Sequence, residues 1–287
     1  MPSPLATIDE RAVTKSGPAD SLRLPAPPRA MGDRLQGLKA LISIPSLRSL
    51  SRTLRLNPRR RAAPDAALPA FVRDGLVAEL RFDEGAGQVV GDYTGNGHNG
   101  LLGFTVGVDP FDPTWTARGL SFDGTEAAWF ADALGVSGGA PRTVIAVVKT
   151  GSSAEFGMEW NGTGGNGERW ALDRSGAGTL RLDIRGANFT SALALPAGAW
   201  CSVAATQSGA NLDTVTLYLN GSSEASGISA TIDTTNGFIV GQASSVTKQM
   251  EAAYVLVYNR ALSAAEVERN HWALTSILAG RGITLPW

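Results

Sequence analysis

Apolar and polar residues alternate in short segments from Gly75 onward, which is the pattern of β-strands that bury one face. In residues 76–82 every second side chain is apolar, and Glu79 and Arg81 lie on the opposite side. Residues 143–149 are instead an almost continuous apolar run, which predicts a strand covered on both faces. The other strands are expected near 120–122, 127–130, 157–160, 170–173, 180–185, 200–206, 214–219, 237–240 and 252–258.

Turn-forming residues separate these segments and indicate the fold class. Short strands joined by Gly- and Asn-rich turns predict an all-β fold, a two-sheet antiparallel sandwich. Asn220 and Gly221 form a dipeptide typical of a type I′ hairpin turn. A C-terminal helix is predicted over residues 263–279, because Ser263 and Glu266 have capping-box spacing and Gly280 is a natural stop.

Residues 1–73 differ in composition and are predicted to be an N-terminal arm and linker. They contain 10 of the 15 prolines but a single aromatic residue, Phe71, so they have few large apolar groups to offset their conformational entropy. Helical spacing over 33–56, broken at Pro45, predicts an extended arm that is partly helical. The second helical stretch places Leu47, Leu50 and Leu54 on one face and Arg48, Arg52 and Arg55 on the other.

Charge divides at the same boundary. Residues 1–73 carry 13 basic and 5 acidic side chains and residues 74–287 carry 12 and 21, so the formal net charge of −1 conceals a basic arm and an acidic body. A basic amphipathic helix can lie on a membrane, contact nucleic acid or dock on a protein. No aromatic side chains interleave with these arginines for base stacking, so nucleic acid is not expected as a partner. Protein docking is favoured, with a disordered tail as the equal alternative.

Signals for export and membrane crossing are not expected. The first apolar run, residues 38–44, starts late, is short and contains Lys39, which argues against a secretion signal. No run approaches the roughly 18 apolar residues of a membrane span. Cys201 is the single cysteine, so it is expected to pack as a small apolar side chain without a disulfide.

Six short motifs resemble, in order and spacing, the laminin-G-like, concanavalin A-like jelly-roll domain. They lie at residues 80–85, 92–97, 119–124, 200–205, 217–221 and 258–263. The resemblance implies a jelly roll over residues 74–287 that binds carbohydrate or protein, often with calcium. Residues 1–73 stay outside it.

The closing motif and residues 279–286 also resemble domains of bacteriophage virion proteins, such as tail fibre or capsid decoration proteins. This resemblance implies that the arm anchors the jelly roll to a capsid or tail protein. It also implies a homo-oligomer within a virion that is assembled in the host cytoplasm.

A calcium site is one hypothesis for the glycine-rich loop at residues 91–100. Oxygen ligands in close succession are what a hard cation requires, although Asp and Asn are also common turn formers. Members of this family carry an acidic pair in the last strand, where this chain has Ala253 and Tyr254, and Glu251 is the nearest carboxylate. The candidate ligands are Asp92, Asn96, Asn99 and Glu251.

The chain is predicted not to be an enzyme. Retaining glycosidases on this fold alternate carboxylates along one strand and bring two of them to about 5 Å from each other. Asp83 and Glu84 are adjacent at a strand end, so their side chains point opposite ways. A serine or cysteine nucleophile needs a positioned base, and the two histidines, His98 and His271, are expected in a loop and in the last helix.

Tryptophans in or beside loops are the candidate contacts for a glycan. An aromatic face can stack on a sugar ring while amide and carboxylate groups bind its hydroxyls. Two of these tryptophans flank the glycine-rich loop at 161–167, and for them the alternative of filling the core has equal weight. The predicted ligand-binding residues are Trp115, Trp129, Trp160, Asn161, Asn166 and Trp170.

These observations favour a non-enzymatic binding module that is tethered by its arm and binds glycans or a host surface. One alternative is a purely structural capsid decoration or tail protein without a ligand of its own. A bacterial carbohydrate-binding adhesin or an accessory domain of a carbohydrate-active enzyme is the third hypothesis.

Overall fold

The computed structural model describes residues 70–153 and 155–286. Within these residues the structure has β-strands, a short 3-10 helix at Leu212–Thr214 and one α-helix, α1, at Ala264–Ala279. The strands are β1 (Leu76–Leu80), β2 (Val89–Val90), β3 (Gly100–Leu102), β4 (Thr114–Thr116), β5 (Gly119–Asp123), β6 (Ala128–Phe130), β7 (Arg142–Thr150), β8 (Gly157–Trp160), β9 (Trp170–Arg174), β10 (Thr179–Asp183), β11 (Asn188–Ala194), β12 (Trp200–Gln207), β13 (Val215–Leu219), β14 (Ser222–Ala225), β15 (Phe238–Val240), β16 (Gln242–Ala243), β17 (Val246–Thr247) and β18 (Gln249–Tyr258).

Two antiparallel sheets form the predicted sandwich. The first sheet has the order β14-β13-β12-β7-β18-β5-β4, and β1 pairs with the C-terminal half of β18. The second has the order β11-β10-β9-β8-β15-β6-β3-β2. Strands β16 and β17 form a separate hairpin. The all-β, two-sheet fold expected from the sequence is therefore confirmed.

The main core lies between the sheets and is built from alternate side chains of each strand. In the first sheet, Val144 and Val148 of β7 face it; in the second, Trp160 and Phe238 do. The rings of Trp160 and Phe238 are 4.6 Å apart between centroids, and those of Trp160 and Trp170 are 5.2 Å apart. Burial of each such large side chain contributes about 1.5–3 kcal/mol.

Helix α1 covers the other face of the first sheet. Leu274 and Leu278 of the helix share a second apolar cluster with Ile145 and Val147 of β7. Because β7 contacts apolar residues on both faces, its continuous apolar sequence is explained as predicted. Phe71 and Val72, assigned above to the linker, are also buried in this cluster, so the folded domain begins before residue 74.

Helix α1 begins and ends where predicted, but the conformation of its C-terminal cap differs from the expected one. The Ser263 side chain accepts a hydrogen bond from Glu266 N, and Glu266 accepts one from Ser263 N, which is the expected capping box. Gly280, however, keeps a right-handed conformation with φ −63°. A further turn follows Gly280, and Ile283 N donates to Leu278 O at its end. The residue with the left-handed conformation is Gly282, at φ 68°.

The turns and strand ends refine the sequence prediction in three places. Asn220 and Gly221 have φ of 46° and 86°, which confirms the type I′ turn between β13 and β14. Phe82, expected to continue β1, has φ 50° and lies beyond the strand. The edge strand β11 was not predicted; buried Ser191 interrupts the apolar alternation between Phe189 and Leu193, which weakens the hydrophobic signal.

The predicted docking residues of the arm lie outside the described residues. They are Leu47, Leu50, Leu54, Arg48, Arg52 and Arg55. In the part of the chain that is described, no helix has the length and apolarity that crossing a bilayer requires.

Candidate ligand-binding site

A cavity of about 420 Å³ opens on the outer face of the second sheet, where β6, β8 and β15 meet. Trp129 of β6 lies opposite Ile239 of β15 in the strand register. Their neighbours Phe130 and Phe238 point into the core, so period-two alternation directs Trp129 and Ile239 outward. Trp129 is half-buried and Ile239 is buried, and together they provide the apolar part of the cavity wall.

The loop after β6 forms one side of the cavity. The indole Nε1 of buried Trp160 donates to Ala133 O at 2.9 Å, and Asp132 Oδ1 accepts from Leu134 N at 2.9 Å. The other carboxylate oxygen of Asp132 is 2.6 Å from Nδ1 of His98, which lies in the glycine-rich loop. These contacts hold the Asp132 carboxylate at the rim.

Polar side chains form the opposite side. Asn161 follows β8, and Asn236 N donates to Asn161 O at 3.2 Å. Gly237 immediately precedes β15. A Cβ at this position would be 2.1 Å from Phe130 O, so only glycine allows the backbone to lie this close to β6. Thr235 and Asn236 are exposed, and among the described residues neither side chain has a hydrogen-bond partner. Their polar groups are therefore available to a ligand.

A buried arginine supports this side of the cavity. Arg142 is fully buried, and its guanidinium donates to Thr234 Oγ1 at 2.9 Å, one residue before the cavity wall. It also lies 5.0 Å from the Trp160 ring centroid. Burial lowers the pKa of Arg142 to about 10, so the guanidinium is still charged at neutral pH. It positions the loop before β15 without lining the cavity.

The arrangement suits recognition of a polar, ring-shaped ligand. An exposed part of an indole ring lies beside amide, hydroxyl and carboxylate groups, which is the combination that binds sugar rings. Of the described residues that line the cavity, Asp132 alone carries a charge. The lining residues are Trp129, Ala131, Asp132, Ala133, Asn161, Thr235, Asn236, Gly237 and Ile239.

The structure brings two of the predicted ligand residues together, Trp129 and Asn161. Asp132, Thr235 and Asn236 were not among the predicted ligand residues, although a polar run precedes the apolar residues 238–240. The prediction is wrong for Trp160 and Trp170, which are both 0% exposed in the core.

The other two predicted ligand residues lie elsewhere. Trp115 is in edge strand β4 of the first sheet, packs against the core and donates from Nε1 to Gly87 O. Asn166 is exposed but stands against Gly186 in the turn between β10 and β11. Neither lines the cavity.

The residues proposed for calcium do not fit a calcium site. The Asp92 carboxylate accepts hydrogen bonds from the backbone N–H groups of Glu79, Thr94 and His98, so donors occupy the positions where a cation would bind. These bonds outweigh burial, which acts in the opposite direction, and lower the pKa of Asp92.

The remaining predicted ligands are also engaged. Asn99 Oδ1 accepts from Asp92 N, and Asn96 directs its amide nitrogen to Val77 O. Glu251 pairs with Lys149 at 2.6 Å. It belongs to the N-terminal half of β18, whereas Asp92 bridges Leu80, which lies opposite Val255 in the C-terminal half of that strand. No cluster of three or more acidic, His or Cys side chains able to hold a metal occurs among the described residues. The loop is therefore a hydrogen-bonded turn.

Two buried carboxylates lie on the outer face of the second sheet, but neither is exposed to a substrate. Glu159 is 0% exposed and accepts from Gln242 Nε2 and Ser244 N of the β16–β17 hairpin. Asp173 is 1% exposed and forms two hydrogen bonds with Arg181. Burial raises the pKa of Asp173, although Arg181 opposes this effect.

Comparison with known proteins identifies a family for this chain. Residues 120–268 match the family described as the concanavalin A-like lectin/glucanases superfamily, Laminin_G_3. No match is found among curated proteins.

Solved structures share the fold at low sequence identity. Trypanosoma rangeli sialidase in complex with sialic acid is 16% identical, with a TM-score of 0.53 over 71% of this chain and 33% of the sialidase. The binding domain of Paraclostridial Mosquitocidal Protein 1 is 15% identical, with a TM-score of 0.50 over 71% of this chain and 52% of that domain. The chain thus spans about a third of the sialidase's length.

Proposed function

The chain belongs to the concanavalin A-like lectin/glucanase superfamily, and from this premise we propose that it is a non-enzymatic glycan-binding module. Its ligand site is the cavity beside Trp129. The observation that carries the proposal is that Trp129 and Ile239, which are neighbours in the strand register, line one cavity together with Asn161 and Asn236. An apolar surface faced by hydrogen-bonding side chains matches the two faces of a pyranose ring.

The charge of the cavity favours a neutral or amine-bearing sugar. Asp132 supplies a carboxylate, and none of the described lining residues is Lys or Arg. A carboxylate or sulfate on a sugar would face the like charge of Asp132, with no Lys or Arg among the described lining residues to bind it. The sialic acid named with the Trypanosoma rangeli sialidase is therefore not the ligand class expected here.

Absence of catalysis is part of the proposal. Most glycosidases use two carboxyl groups that flank the scissile bond. Glu159 and Asp173, the two fully buried carboxylates of this sheet, are already hydrogen-bonded to Gln242 and Arg181. Their burial supports a role in holding the sheet and its hairpin.

The wider setting is an assembly in which the basic arm, residues 1–73, anchors the jelly roll. A phage virion, with a capsid or tail protein as the anchor, is the setting that the sequence favours. The charge division supports this arrangement, because the basic arm and the acidic body suit different surfaces.

A glycan array with the full chain tests the ligand assignment. We expect binding to neutral or amine-bearing glycans and a loss of about tenfold or more in affinity for Trp129→Ala, the effect of removing a central aromatic contact. Trp272→Ala is the matched control, because Trp272 is also partly exposed, at 40%, but lies on α1.

Two results would contradict the proposal. One is equal glycan affinity of the Trp129→Ala and Trp272→Ala variants. The other is a folded wild-type chain, verified by a cooperative melt, that binds no neutral or amine-bearing glycan.

A further inference from the structure

An apolar patch is exposed on and beside the loop between β3 and β4. Its residues are Val89 of β2 and Phe104, Val106, Val108 and Phe111 of the loop between β3 and β4. Val106 and Val108 are 83% and 86% exposed. Val89 lies opposite Leu101, two residues before Gly103, and Leu101 lies opposite Trp129, so Val89 projects from the outer face of the second sheet at the edge nearest the loop.

The loop is held in one conformation by its own polar groups. Asp109 accepts hydrogen bonds from Phe111 N and Thr105 Oγ1, both at 2.8 Å, and Asp112 accepts from Asp109 N at 2.9 Å. Gly103 N and Phe111 O also pair with the backbone of Ala127. An ordered loop that directs large apolar side chains to solvent is the kind of surface that marks an interaction site.

The surroundings of the patch are acidic. Glu126 and Asp123 lie close enough to interact electrostatically with each other, and Glu126 also interacts with Asp112 of the loop. Asp109 and Asp112 belong to the loop itself. The pKa of Glu126 is raised by burial and by repulsion from Asp123 and Asp112, which is consistent with a negative potential here.

The apolar side chains and acidic surroundings of the patch favour a basic, amphipathic protein segment over anionic lipid or a second copy of the patch. An acidic rim is repelled by anionic lipid, and two copies of the same patch would bring like charges together. A segment with an apolar stripe and flanking arginines complements both the apolar side chains and the acidic rim. The chain has such a sequence in Leu47, Leu50 and Leu54 with Arg48, Arg52 and Arg55.

We propose that the apolar patch is a docking surface for residues 46–56 of a second copy of this chain. The leucine stripe packs on the patch valines and phenylalanines, and the arginines face the acidic rim. The contact joins two different surfaces, so it is heterologous and generates a ring or an open chain of subunits. It does not involve the Trp129 cavity, so it stands or fails independently of glycan binding.

Sedimentation velocity of the full chain over a range of concentrations tests the proposal. We expect reversible self-association that weakens with added salt. The double variant Val106→Ser and Val108→Ser removes apolar contacts and raises the dissociation constant about tenfold or more. Val246→Ser is the matched control, since Val246 is 55% exposed on the β16–β17 hairpin. Melting temperatures establish that both variants fold.

A complementation experiment distinguishes arm-to-patch contact from other modes of self-association. The arm variant combines Arg48→Glu, Arg52→Glu and Arg55→Glu, and its control changes Arg11, Arg23 and Arg29 to Glu. The arm variant and the patch variant each lose self-association alone, whereas their mixture forms heterodimers, because one contributes an intact patch and the other an intact arm. Trp129→Ala leaves the association unchanged.

Three outcomes would overturn the proposal. They are a chain that is monomeric at every concentration, self-association that the patch variant does not weaken, and a mixture of the two variants that stays monomeric.

Discussion

The phenol oxygen of Tyr254 lies 2.5 Å from Oε1 of Glu79, although 175 residues separate them in the sequence. Glu79 is 1% exposed and also pairs with Arg73 and Arg81. Burial acts to raise its pKa, but the hydrogen bonds from Tyr254 and Arg73 and the charge of Arg81 together lower it. A buried, ionised carboxylate therefore joins the start of the domain, β1 and β18.

Removing the phenol hydroxyl should destabilise the domain. We expect Tyr254→Phe to lower the free energy of unfolding by about 1.5–3 kcal/mol, because a hydrogen bond to a buried charged group is lost. Urea denaturation measures the difference. Tyr93→Phe is the control, since Tyr93 is 43% exposed and its hydroxyl is 3.4 Å from Asp83. Equal stability of the Tyr254→Phe and Tyr93→Phe variants would contradict the role given to this contact.

The strands were predictable because their alternation reports which face is buried. β7 could be recognised from its continuous apolar sequence, and Ser263 and Glu266 marked the start of α1. The position of Phe82 beyond β1 could not be predicted, since a left-handed phenylalanine leaves no mark on the apolar period.

The site was less predictable, because it depends on strand register. Trp129 and Trp160 both lie in short strands, yet one faces solvent and the other the core. Asp132 and Asn236 are far apart in sequence and meet because β6 and β15 are neighbours in the second sheet. Local sequence does not encode that pairing.

Gly237 should be irreplaceable in the cavity wall. A Cβ at this position would be 2.1 Å from Phe130 O, so Gly237→Ala must separate β6 from β15. We expect a loss of about 1–3 kcal/mol in stability, as for other overpacked sites, together with weaker glycan binding. Gly227→Ala is the matched control, because no atom lies within 4 Å of a Cβ there. Thermal melts and glycan titrations would test both variants, and equal behaviour would refute the steric argument.

The capping box of α1 should make stability fall in acid. Hydrogen bonds from Arg260 and Ser263 lower the pKa of Glu266 from 4.5 to about 2. Since the folded state has the lower pKa, this contribution is complete above about pH 4.5 and is lost as the pH falls towards 2. Denaturant titrations of the wild type and Glu266→Gln at several pH values measure it. The stability difference should shrink on acidification; a constant difference would show that the charge of Glu266 contributes nothing.

Calcium should leave the domain's stability unchanged. The oxygens of Asp92 already accept hydrogen bonds, so neither calcium nor a chelator should shift the melting temperature. Asp92→Ala should cost about 2 kcal/mol or more in both conditions, because several backbone N–H groups lose their acceptor. Glu251→Gln, the control, breaks a partly exposed ion pair worth about 1 kcal/mol or less. A calcium-dependent rise in melting temperature that Asp92→Ala abolishes would restore the metal hypothesis.

The charge of Asp132 should set the class of glycan that is accepted. Asp132→Asn keeps an oxygen acceptor for Leu134 N but removes the negative charge from the rim. At this exposed position the repulsion of an anionic sugar is worth about 1 kcal/mol, so the variant should bind anionic glycans about fivefold more tightly. Affinity for neutral glycans should change little, and affinity for amine-bearing ones should fall. Asp233→Asn, an exposed acidic residue that does not line the cavity, provides the control. If Asp132→Asn and Asp233→Asn show the same preferences in a glycan titration, the rim carboxylate does not select the ligand and the specificity must come from Trp129 and the amide groups opposite it.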